Sequence, residues 1–200
     1  MSHPADDPWP SEDDGDFLTG RLLIAMPGIE DPRFERAVIL MCAHSSEHAM
    51  GIALNRPMDG LSLSELLDRL GVDAKIELTA RAVLSGGPVE RERGFVLHTD
   101  DYAAPQSTLA VTEGVALTAT REVLEAIADP RHSPRQAVLA LGCAGWSPGQ
   151  LEREIMENVW LICDADEALI FDGDHEQKWS KALAKIGVDA RLLTGAAGRA

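Results

Sequence analysis

Three short apolar runs stand one behind another near the start of the chain: Arg21 to Met26, Ala37 to Ala43 and Met50 to Asn55. Pro27 and Gly28 stop the first, and Pro57 closes the third. Brief apolar stretches bounded by Pro and Gly suit buried strands better than helices, which need longer periodic segments. The nearness of the second and third runs predicts a hairpin around His44 to Ala49. The chain therefore opens with sheet.

A helix follows, because Ser62-Leu63-Ser64-Glu65 has the spacing at which a cap hydroxyl and a carboxylate three residues on satisfy each other's backbone N–H groups. Leu63, Leu66, Leu67 and Leu70 share one face of it, and Gly71 suits a left-handed end. Strand-like runs return at Ala82 to Ser85, Gly94 to Thr99, Thr108 to Thr112 and Val115 to Thr118, and four in a row imply antiparallel pairing. Arg121 to Ala128 reads as a short helix and Gln136 to Leu141 as a buried strand. Ser147-Pro148-Gly149-Gln150 reads as a helix start with Pro in the first turn, running to about Asn158. Val159 to Cys163 and Ala168 to Phe171 are short apolar runs, and His175 to Ile186 is a helix closed by Gly187. Groups of adjacent strands broken by helices, rather than strict alternation, favour a mixed sheet of α+β type.

A chain of 200 residues with 45% hydrophobic content suits one domain. The expected layout is a disordered acidic tail over 1–16, one domain over 17–194 and a frayed end over 195–200. The tail carries Asp6, Asp7, Glu12, Asp13, Asp14 and Asp16 beside three prolines and no Lys or Arg. A net charge of −15 repels phosphate backbones and anionic lipid, so neither direct nucleic-acid binding nor a membrane surface is expected. No stretch is long and apolar enough to span a bilayer, and the acidic start differs from a signal peptide, so a cytoplasmic location is expected. Cys42, Cys143 and Cys163 are too few and scattered for a disulfide framework and read as reduced thiols.

Leu141 to Gln150 is the segment richest in possible chemistry: a buried strand leading through Gly142 and Gly145 into a helix start. N–H groups of such a turn, with the helix dipole, suit an anion; the same glycines also serve tight strand–helix packing beneath Trp146. Cys143 there is either an activated thiolate or a small core hydrophobe. Arg56, in Asn55-Arg56-Pro57, ends a buried strand and has the side chain best shaped for a carboxylate or phosphate, in a ligand or within the protein. Gly86-Gly87-Pro88 reads as a backbone turn, and Ser85 lacks the flanking glycines of a hydrolase elbow. His98 is a general base or a satisfied core histidine. Cys42, His44 and His48, with Glu47, are ligand types lacking a recognisable zinc spacing. No nucleotide-binding glycine motif follows any strand. No metal, cofactor or catalytic residue is assigned.

The stretches LLIAMPGIEDPRFERAVILMCAH, AMGIALNRP, SGGPVERERGFVLH and GCAGWSPGQLEREIMENVW resemble the bacterial AlgH/YqgE family, in order and at similar spacing, from about Phe17 to Leu193. The resemblance implies a compact one-domain α+β fold whose mixed sheet is strongly bent, partly barrel-like and flanked by helices. It carries no assigned biochemical activity; one member gave the family its name through a role attributed to it in transcriptional control of alginate synthesis. Positions matching the family motifs are Met26, Pro27, Asp31, Pro32 and Phe34, then Gly51, Asn55, Arg56 and Pro57. Further on come Gly86, Gly87, Pro88, His98, Gly142, Gly145, Trp146, Gln150 and Glu152. The chain departs from the pattern at Ala43, where Glu is usual, at His48, where a small residue is usual, and at Cys143, where Tyr or Ser is commoner. A shared chemistry therefore does not depend on Cys143 or His48.

Two functional expectations follow, with a third behind them. The first is a binding module in which Asn55, Arg56, Gly86, Gly87, His98, Gly142, Gly145, Trp146 and Gln150 gather around an anionic small molecule or a protein partner. The second, implied by the family's name, is a regulator of transcription acting indirectly through protein contacts. The third is an enzyme using His98 or Cys143.

Overall fold

The computed structural model describes residues 17–75, 78 and 81–196. The acidic tail expected over 1–16 lies outside the described residues, as do residues 197–200.

The opening runs form three antiparallel strands, β1 (Arg21–Ala25), β2 (Val38–His44) and β3 (Ala49–Ala53). His44 pairs with Ala49 across the expected hairpin. Successive side chains of these strands alternate between two cores. Leu22, Ile24, Val38 and Leu40 face one cluster, while Leu23, Ala25, Ile39 and Met41 face another. A strand buried on both faces has no polar side to show, which is why the runs read as continuously apolar.

The remaining strands are β4 (Pro57–Ser62), β5 (Ala82–Ser85), β6 (Val89–Thr99), β7 (Thr108–Thr112), β8 (Val115–Thr118), β9 (Ala137–Trp146) and β10 (Trp160–Asp164). They join the first three in one curled sheet of order β10-β1-β2-β3-β9-β6-β8-β7, with β4 and β5 attached to the side of β9. The helices are α1 (Leu63–Arg69), α2 (Arg121–Ala128), α3 (Gln150–Met156), α4 (Glu167–Ile170), α5 (Lys178–Lys185) and α6 (Ala190–Ala196). The helix α1 carries the expected capping box between Ser62 and Glu65, and Gly71 beyond it has φ +68°.

The central element is β9. Its first half pairs antiparallel with β6 and parallel with β5, from Val83↔Leu139 to Ser85↔Leu141. Beyond Gly142 the side held by β5 passes to β3, with Gly51↔Ala144, Met50↔Gly145 and Ala49↔Trp146. Gly142 makes the change at φ +77°, a conformation that costs an L side chain strain. One glycine thus bends the sheet. Gly86 threads the junction, donating from its N–H to the Leu141 carbonyl (2.8 Å) and accepting from the Ala53 N–H (2.9 Å).

Three expectations are corrected here. The strand expected to end at Leu141 continues to Trp146, because the glycine bend exchanges hydrogen-bond partners instead of ending the ladder. Ala82 to Ser85 does not pair with the strand after it but lies parallel to β9 and antiparallel to β4. The helix expected to start at Pro148 starts at Gln150, since Gly149 at φ +71° is not helical. Among the described residues no helix is long and apolar enough to cross a membrane.

Candidate functional site

Asn55 fastens a loop. Its Oδ1 accepts the Val38 N–H (3.0 Å) and its Nδ2 donates to the Arg36 carbonyl (2.8 Å). Arg56 donates from Nη2 to the Glu35 carbonyl, while its Nε is buried without a hydrogen-bond partner among the described residues. Burial disfavours its charged form, partly offset by Glu35.

Gly86, Gly87 and Gly142 stack backbone on backbone. A Cβ on Gly86 would lie 2.2 Å from the Gly142 carbonyl oxygen, and one on Gly87 2.2 Å from the carbonyl carbon of Cys143. The glycine-rich segment expected to be a turn with outward N–H groups is a strand bonded to β3 and β6.

His98 is fully buried. Its Nδ1 donates to the Thr99 carbonyl (2.8 Å), so its Nε2 accepts from the Thr118 hydroxyl (2.8 Å). Thr118 in turn accepts from Thr108, and Thr108 from the Ala104 N–H. Burial lowers its pKa and keeps the ring neutral. Both nitrogens are occupied, so His98 offers no free base. Cys143 is buried, and desolvation pushes its thiol up to about 11, the opposite of an activated thiolate. Cys42 is completely buried, and His44 is spent on the Leu18 N–H and on Glu152 (2.6 Å).

Gly145, Trp146 and Gln150 lie elsewhere. They line a cleft of about 800 Å³ formed where the β1 exit loop, the end of β9 and helix α3 come together. A second cleft of about 400 Å³, with Met50, Val89, Phe95 and Cys143 in its walls, lies on the other side of Val89, Gly145 and Trp146, which border both. Asn55, Arg56, Gly86, Gly87, His98 and Gly142 line neither. Glu90, at the bulge of β6 beside the smaller cleft, holds φ +47°, strain of the kind stored at functional sites.

The larger cleft is organised by Glu154. Its Oε2 accepts the indole N–H groups of both Trp146 (2.9 Å) and Trp160 (2.8 Å), and its Oε1 accepts from Gln150 Nε2 (2.8 Å). The two indoles meet edge to face at 6.0 Å, and Phe34 meets Trp160 the same way at 5.8 Å. Glu154, Trp160 and Val89 were missed in the sequence; the available signal was an acid midway between two tryptophans, at Trp146 and Trp160. Glu154→Ala is expected to cost about 2 kcal/mol by leaving two indole N–H groups unpaired, lowering Tm by roughly 5 °C. Calorimetry checks this.

A single curled α+β sheet with an acid-organised aromatic cleft beside its central strand is the type of domain these observations define. The AlgH-like family model matches residues 22–191, and the chain belongs to that family. A UPF0301 protein of Caulobacter vibrioides is 63% identical over 189 residues, covering 94% of this chain and 97% of that protein. One from Rhodopseudomonas palustris is 51% identical over 193 residues, 93% of this chain and 88% of that protein. The solution structure of the AlgH protein from Pseudomonas aeruginosa superposes with a TM-score of 0.74 at 39% identity, over 96% of this chain and 100% of that one. A crystal structure of a Corynebacterium diphtheriae protein, at 20% identity and TM-score 0.68 over 90% and 93% of the two chains, shares the fold.

Proposed function

We propose that this protein is a binding module whose ligand, most simply a segment of a partner protein, occupies the two clefts that meet at Val89, Gly145 and Trp146. The observation that carries this is the geometry of that junction. An exposed glycine and a half-exposed Val89 separate two open hollows of about 800 and 400 Å³, the size range of ordinary ligand sites. The groups that would favour an enzyme, His98 and Cys143, are a saturated core histidine and a buried thiol. The anionic ligand expected from the glycine-rich segment meets strand hydrogen bonds there and carboxylates in the larger cleft, so the reading rests on a partner that tolerates acidic walls. A regulator acting through protein contacts is compatible with it.

Gly145→Phe tests the idea. A Cβ at Gly145 meets only Val89 Cγ2 at 3.6 Å, so a bulky side chain fits the backbone while filling both clefts. Whatever co-purifies with the tagged wild-type protein is expected to be lost with Gly145→Phe and kept with Gly173→Phe, a substitution at an open position outside both clefts. Equal recovery from all three proteins rejects the clefts as the binding site.

A further inference from the structure

The larger cleft also specifies the charge of what it holds. Glu30 and Glu157 stand exposed on its rim with no ion pair or side-chain hydrogen bond among the described residues. Glu154 lies deeper, fixed by three N–H donors, and a carboxylate has about four acceptor positions, so one is left for a ligand. Among the described residues the lining contains one cation, Arg33, and Asp31 neutralises it, gripping its Nε and Nη2 in a fork of 3.0, 3.1 and 2.7 Å. Acceptor oxygens and ring surface outweigh the donors that remain.

The wall of the cleft displays the pairing that such a surface favours. Arg33 lies 6.0 Å from the Phe34 ring centroid while held by Asp31, a cation set against both an aromatic ring and a carboxylate. Next to it, Phe34, Trp160 and Trp146 form a run of edge-to-face rings ending at the Glu154 carboxylate. Among the described residues, an anion entering here would meet three unneutralised carboxylates, with the Asn158 amide and the outer N–H groups of the Asp31-bound Arg33 as the side-chain donors left to receive it. A guanidinium or ammonium on an apolar stem would find the reverse: charge to meet and ring surface for the stem.

We infer, on the binding reading above, that the partner presents an extended basic segment, with an arginine or lysine side chain in the larger cleft and an apolar side chain in the smaller one. The two hollows suit this division. One is rimmed by Glu30 and Glu157, while the other has Met50, Val89 and Phe95 in its walls and its own charges, Glu90 and Arg93, paired with each other at 3.4 Å. Same-face side chains of an extended segment stand about 7 Å apart, which lets one backbone cross at Gly145 and serve both. The cleft's charge also agrees with the −15 of the whole chain, which steers a basic partner inward.

The test uses three pools of blocked hexapeptides in which one position is fixed as arginine, citrulline or glutamate and the others are random with arginine and lysine left out. Binding is read from the indole N–H resonances of Trp146 and Trp160. The arginine pool is expected to bind at least about tenfold more tightly than the other two, equivalent to about 1.4 kcal/mol, and to weaken as salt screens exposed charge. The advantage is expected to disappear in the double variant Glu30→Gln with Glu157→Gln, whose exposed side chains hold nothing else in place. Gly145→Phe is expected to abolish the response to every pool. If the citrulline or glutamate pool binds as tightly as the arginine pool, the inference of a cation fails while the cleft remains a binding site. If no pool moves either resonance, the basic-segment inference fails outright, and the co-purification comparison with Gly145→Phe decides separately whether the clefts bind anything.

Discussion

Gly142→Val is expected to destabilise the protein by more than about 4 kcal/mol, a large part of the stability of an ordinary domain. Gly142 sits at φ +77°, where a β-branched residue is strained before any contact is considered. Its Cβ would also lie 2.5 Å from the Gly87 carbonyl oxygen and 3.0 Å from that of Val89. Both are backbone atoms of a chain crossing the bend, so no flexible side-chain end can yield. Moving that chain disturbs the Gly86 bonds to Leu141 and Ala53 that join β9 to β3. Three residues on, Gly145→Val should change stability by no more than about 0.5 kcal/mol, because the position is open and on the surface. Urea titration of the two variants beside the wild type checks both numbers. Equal midpoints would mean that the bend at Gly142 does not hold the sheet together.

Lys178→Met is expected to change how stability depends on pH. Lys178 is 1% exposed, and its Nζ donates to the carbonyls of Leu54 (3.3 Å) and Ile170 (3.1 Å), with no carboxylate in salt-bridge contact among the described residues. Burial pushes its pKa from 10.5 down to about 8, with Asp172 opposing the shift and Lys181 adding to it. The unfolded chain therefore binds this proton more tightly than the folded one. Between pH 8 and 10.5 stability from this group rises with pH; below about 8 the buried charge is carried at full cost. The interval of about 2.5 units corresponds to roughly 3 kcal/mol. Measured by denaturant titration from pH 7 to 10.5, wild type minus Lys178→Met should become more favourable by about that amount as pH rises. A flat difference would show that Lys178 titrates normally in the folded state.

Local chemistry was readable from the chain alone. The capping box at Ser62 and Glu65 depends on four consecutive residues, and the hairpin at His44 to Ala49 on two neighbouring runs, so both were visible in the chain. Strands β7 and β8 and helix α2 were legible for the same reason. The continuation of β9 past Gly142 was not, because whether a glycine ends a strand or bends it depends on which strand waits beyond it, and β3 lies about ninety residues earlier in the chain.

The candidate site divided along the same line. Gly145, Trp146 and Gln150 were picked out as chemically promising and line the larger cleft. Asn55, Gly86, Gly87, His98 and Gly142 were picked out for equally sound reasons, yet their polar atoms and open Cα positions are used within the fold. A glycine that lets a ligand approach and one that lets another strand approach look identical in sequence, since both mean only that there is no room for a Cβ.

By itself, then, the sequence determined most of the elements, their apolar faces, the acidic character of the surface and the family, while β4, α6 and the far half of β9 went unread. Tertiary structure alone decided that Phe34, Trp146, Glu154 and Trp160, drawn from separate segments, share one cleft. It alone decided that Lys178 is sealed under two carbonyls and His98 behind two threonines. Composition sets the tendency of a residue to be buried or charged, but the partner that satisfies it comes from wherever the bent sheet brings the chain back.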